Sequence, residues 1–143
     1  MKQKLSLYLY GIFELFLVLG AVATGILMIR DPYGLYGIFP HKFPSEWLNK
    51  VPFDNWFIPG IISILVFGVG NIAASIYCFR KQPKKSGIMG IIMGVILLVS
   101  IGTQMLMLGI YLVSIECLVL SIIQFSYGIY VLKAKWRGNN VVI

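Results

Sequence analysis

Two carboxylic acids, Glu14 and Glu116, stand inside long apolar stretches that hold no Lys or Arg. Three amides, Asn71, Gln104 and Gln124, share such surroundings, and Tyr127 lies just beyond the last of them. Polar groups of this kind are costly in hydrocarbon and mark ion paths, proton relays or ligand contacts. An acid that exchanges its proton can couple transport or bind a cation. The same acid hydrogen-bonded across helices is structural glue, each such bond contributing about 0.6–2 kcal/mol. The residues leave both roles open for the two acids, whereas the amides read first as glue. Other chemistry has little to stand on. The chain has no nucleophile elbow, phosphate-cradling loop, metal-ligand cluster or CxxC pair. His41 is the only histidine, and Cys78 and Cys117 read as small apolar packing residues. The expectation is no catalytic residue, no metal site, no cofactor and no enzymatic activity.

Composition dictates the elements that must hold these groups. Hydrophobic residues make up 59% of the 143 and charged residues 12%, against about a quarter charged in a soluble domain. The apolar residues fall in four unbroken blocks, 5–29, 56–79, 87–108 and 110–132. Each is long enough, at about 1.5 Å per residue, to cross about 30 Å of hydrocarbon as a helix. The fold expected is an all-α membrane protein, a single domain built as a four-transmembrane-helix bundle. Arg30-Asp31-Pro32 ends the first span, Arg80 to Pro83 the second, and Lys133 to Arg137 the fourth. A turn centred on Gly109 makes the third and fourth spans an antiparallel hairpin. The first block is too long for the core of a cleaved signal peptide.

Depth sorts the polar groups into two tiers. Glu14, Asn71 and Gln124 each lie about eight or nine residues from the lysine-rich end of their spans, near one level. Gln104 and Glu116 belong to a tier near the opposite end. At about 100° per residue, Glu116, Gln124 and Tyr127 fall within about 80° on the fourth helix, a face expected to point into the bundle. Ser100, Thr103 and Gln104 share one side of the third. Small residues mark close helix approach: Ala21 and Gly25, Gly70 and Ala74, and the series Ser86, Gly90 and Gly94. The last series suits packing inside one bundle or against a second copy, the first being expected.

The charges orient the chain. Lys2, Lys4, Arg80, Lys81, Lys84, Lys85, Lys133, Lys135 and Arg137 gather at one end with no Asp or Glu among them. Segment 30–55 carries Arg30, Lys42 and Lys50 against Asp31, Glu46 and Asp54, which cancel. The positive-inside rule makes both termini cytoplasmic and 30–55 extracytoplasmic. The net charge of +7 therefore faces anionic lipid headgroups, not nucleic acid.

The 30–55 loop is rich in aromatics, Pro and Gly, and is expected to be ordered against the helix ends, with a short helix begun by Ser45. Trp47, Phe53, Asp54 and Trp56 make it either an interfacial aromatic belt or a lid over a ligand. Gly34-Leu35-Tyr36-Gly37, Trp47-Leu48, 52–60 (Pro-Phe-Asp-Asn-Trp-Phe-Ile-Pro-Gly) and 68–74 (Gly-Val-Gly-Asn-Ile-Ala-Ala) resemble a group of small bacterial four-helix membrane proteins. The resemblance implies a bacterial inner-membrane protein and brings no assigned activity. Two functions are expected. The first is a binding or accessory protein for a lipid-like or amphipathic ligand, or for a membrane-protein partner, with Gln104 and Glu116 beneath the loop. The alternative is a homo-oligomeric transporter or channel in which Glu14 couples protons or cations.

Overall fold

The computed structural model describes residues 2–35 and 45–134. The described residues are helical with no strand, and four helices are long and apolar enough to cross a membrane. In hydrocarbon a backbone must bond to itself, and uninterrupted apolar sequence leaves the helix as its only local solution. The first helix is Lys2–Arg30 and the third Pro83–Leu108. The fourth is Leu112–Lys133, and the second span runs over Phe57–Phe79. The second has a wider turn at its middle, where Ser63–Gly68 takes π-helical geometry between α-helical Phe57–Ile62 and Val69–Phe79.

Local chemistry sets the ends. After the first helix, Asp31 Oδ1 accepts the Leu35 N–H at 2.8 Å. The Trp56 N–H bonds back to the Pro32 carbonyl at 2.8 Å, tying the start of the second span to the end of the first. A short helix, Ser45–Leu48, lies between them. Beyond Phe79 the Lys81 N–H bonds to Cys78 O and the Gln82 N–H to Tyr77 O, with Lys81 at a φ of 55°. That is a Schellman closure with lysine where glycine is usual. Pro83 then opens the third helix at a position that needs no N–H. The third helix starts earlier than the apolar block because exposed Lys84 and Lys85 are part of its first turn. Gly109, with φ 83° and ψ −176°, makes the turn into the fourth helix in backbone geometry that suits glycine.

The third and fourth helices pack along their length, and the first packs on the second. The second span meets the third through its half nearer the lysines, Val69–Phe79, whereas its other half packs on the first helix. The buried centre, Leu7, Tyr10, Cys78 and Val131 with Phe13 and Tyr127 against them, lies in the lysine-bearing half. Large apolar side chains elsewhere face outward, as at Leu19, Leu65, Val99 and Leu112. Such an apolar exterior is the surface of a protein solvated by lipid. The chain is a multi-pass helical membrane protein by this architecture.

Candidate functional site

Ser6, Tyr10 and Glu14 follow one another at four-residue spacing on the first helix, which stacks them on one face. That face is turned into the bundle. Glu14 is 0% exposed, Gln124 is 0% and Asn71 is 2%. The Gln124 amide links the three: Nε2 donates to Glu14 Oε2 and to Asn71 Oδ1, both at 2.8 Å. The first, second and fourth helices thus meet at the Gln124 amide. One turn toward the lysine-bearing end, the Tyr10 hydroxyl donates to the Gln124 backbone carbonyl at 3.2 Å. The Tyr10 ring stands 4.7 Å from that of Tyr127, whose hydroxyl donates to the Ser6 carbonyl at 3.1 Å.

Small residues let these helices come close enough. A Cβ on Gly90 would collide with the Tyr10 hydroxyl. One on Gly94 would stand 2.8 Å from the backbone nitrogen of Phe125, beside Gln124. Gly87 and Gly128 bring the third and fourth helices together nearer the lysines, and Gly25 and Gly60 do the same for the first two at the loop end. Serines bond across the seams, Ser75 Oγ to Gly11 O at 3.0 Å and Ser63 Oγ to Ala21 O at 2.9 Å. Ser86 Oγ meets Cys78 Sγ at 2.8 Å. The series Ser86, Gly90 and Gly94 is therefore spent inside one bundle and is not open to a second copy.

The tier nearer the loop is arranged differently. Glu116 is exposed, so the fourth-helix face drawn through Glu116, Gln124 and Tyr127 is corrected: Gln124 turns inward, Tyr127 is half-buried and Glu116 turns out. An arc of about 80° straddles the edge of the packed face when few helices cross at that height. Thr103 and Gln104 are exposed as well, and Thr103 bonds to its own helix at Val99 O. Gln104 Oε1 accepts the Tyr111 hydroxyl at 3.1 Å, and the Trp47 ring stands 4.8 Å from the Tyr111 ring. The short helix therefore reaches across to the third and fourth helices. Trp56 is buried, Phe53 half-buried and Asp54 exposed. His41, Lys42, Tyr36, Gly37, Lys135 and Arg137 fall outside the described residues.

The central cluster contains residues that sequence reasoning passed over, Ser6, Tyr10 and Ser75, beside Cys78 and Ser86, which it read as packing residues. The four-residue spacing from Ser6 to Glu14 was a usable signal for the first two. Ser75 carries none, because serine is ordinary in apolar helices. Among the described residues no group of three His, Cys, Asp or Glu could hold a metal ion.

No protein-family model matches the chain, and neither a curated protein nor a solved structure matches it. Its chemistry rests on its own geometry.

Proposed function

We propose that the protein sits in a bacterial inner membrane with both termini cytoplasmic and acts as a small ion-coupled transporter, Glu14 being the group that takes up and releases the coupling ion. One observation carries the reading. A fully buried carboxyl, bonded through Oε2 to Gln124 of the fourth helix, has one oxygen, Oε1, with no hydrogen-bond partner among the described residues. A group used only as glue gains by using both oxygens, whereas one that exchanges an ion needs a free one. The orientation is supported by exposed Lys4, Arg80, Lys81, Lys84, Lys85 and Lys133 at one end, with Asp31, Glu46 and Asp54 beyond the other. Those lysines and arginines suit anionic headgroups.

The test is flux in lipid vesicles holding the purified protein. Wild type carries protons, monovalent cations or small organic cations down a gradient, and Glu14→Gln, isosteric and still able to hydrogen-bond, abolishes that flux while remaining folded. Absence of every such flux from folded wild type overturns the reading. Orientation is checked separately with single cysteines at Lys84 and Asp54, labelled from one side of the membrane only.

A second reading, an accessory protein that binds a lipid-like ligand or a membrane partner at the loop end, is favoured by the Trp47–Tyr111–Gln104 contact. The outward position of Glu116 removes half of the polar floor such a site would use. Trp47→Ala with unchanged co-purification of any lipid or partner would count against it.

A further inference from the structure

Donors and acceptors in the central cluster do not balance. Gln124 Nε2 has two hydrogens and uses both, on Glu14 Oε2 and Asn71 Oδ1. Of the neighbouring hydroxyls, Tyr10 stands beside the Glu14 carboxyl and turns its hydrogen to Gln124 O at 3.2 Å, Ser75 donates to Gly11 O and Ser121 to Leu118 O. Glu14 Oε1 and Gln124 Oε1 are left buried without a hydrogen-bond partner among the described residues. Buried acceptors of that kind are rare and destabilising. These two belong to groups already joined to each other through Nε2 and Oε2. A single hydrogen on Glu14 Oε1, donated to Gln124 Oε1, would serve both at once and close an acid–amide pair with two hydrogen bonds.

We propose that the ligand of this site is a proton, carried on Glu14 Oε1 and shared with Gln124 Oε1. The inference rests on the reading of Glu14 as the exchanging group and names what it exchanges. A metal cation would have to replace its hydration shell with several oxygens. The cluster offers two unused ones, and the Nε2 hydrogens repel a cation from between them. Release breaks the Glu14 O–H bond, leaves its electron pair on the carboxylate and passes the proton to water. Gln124 Oε1 then loses its donor, so exchange is tied to movement of the amide and of the fourth helix that carries it. The titratable groups around Glu14 are Tyr10 on its own helix, Cys78 on the second and Tyr127 on the fourth. The third helix brings Gly90, Met93 and Gly94 to this level and no titratable group. All three lie from Glu14 toward the lysine-bearing end.

Glu14, Glu46 and Glu116 are the only glutamates. Exposed Glu46 and Glu116 can be changed to Gln, leaving Glu14 as the one carboxyl that isotopically labelled glutamate reports. Infrared spectra of that protein in vesicles at neutral pH should contain a labelled carbonyl band of a protonated acid. The band should shift in heavy water and move to higher frequency in Gln124→Leu, where the hydrogen bond is gone. A carboxylate band alone at neutral pH overturns the proposal. So does an acid band that disappears when Na⁺ or K⁺ is added. The main readout needs no substitution at the core, so misfolding of a Glu14 variant does not blunt it. An acid band in a protein with no flux upholds the proton and overturns the transport reading; flux with no acid band does the reverse.

Discussion

Glu14 and Glu116 share one sequence context, a carboxyl in an apolar stretch without a cation, and end in opposite surroundings. Glu14 is fully buried and bonded to Gln124, which in turn holds Asn71. Glu116 is exposed on the fourth helix about one turn inside its start. Depth in the membrane does not account for the difference, since both are within their spans. The number of helices passing at each height does. Around Glu14 the second span reaches both the first and the third, and glycines bring the backbones together. At the height of Glu116 the second span packs chiefly on the first helix, and Glu116 is exposed on the fourth. A polar residue at membrane depth is a site where helices converge on it, and a surface group where they do not.

This contrast can be broken most forcefully through its packing. Gly94→Val places its side chain against the Phe125 backbone, which cannot yield as a flexible side chain would. It should destabilise by about 3 kcal/mol or prevent folding. Gly102→Ala, inside the same helix and with a Cβ that would meet nothing within 4 Å, should not destabilise. Thermal unfolding in mild detergent measures both, and equal effects would mean the centre is no tighter than the rim.

The acids themselves give the next largest difference. Glu14→Leu leaves a buried amide hydrogen of Gln124 without its partner and should cost about 2 kcal/mol. Glu116→Leu should change stability by less than about 0.5 kcal/mol. A similar loss for both would show that Glu116 has a buried role in the membrane. Tyr127→Phe, which removes the bond to the Ser6 carbonyl, should lower stability by about 1 kcal/mol and sharpen the boundary of the central cluster. One substitution should instead bring a gain. Lys81→Gly relieves a left-handed backbone position at a helix end and should add about 0.5–1 kcal/mol, read as a higher unfolding temperature.

Particular residues mark how far sequence reasoning reached. The four spans were legible because hydrocarbon permits a buried backbone few alternatives to the helix. The common level of Glu14, Asn71 and Gln124 was legible too, since rise per residue converts position into depth. Their convergence was not, because depth says nothing about rotation, and each helix has a full circle of directions. Glu116 shows the cost of that gap: its angular distance from Gln124 was correct, and its direction was decided by which neighbours the fourth helix has. The third-helix series Ser86, Gly90 and Gly94 declared close packing without naming its partners, which are Cys78, the Tyr10 hydroxyl and the Phe125 backbone. The π-helical turn at Ser63–Gly68 had no signal beyond the nearby Pro59 and glycines.

Composition, span length and charge thus suffice for a multi-pass helical chain with a basic end, since these follow from transferring each residue between water and lipid one at a time. Which acid is enclosed, which amide holds it and which oxygens lack a hydrogen are properties of pairs and triples of residues on different helices. They depend on rotations and crossings that no single segment contains, and they came from packing the four helices against one another.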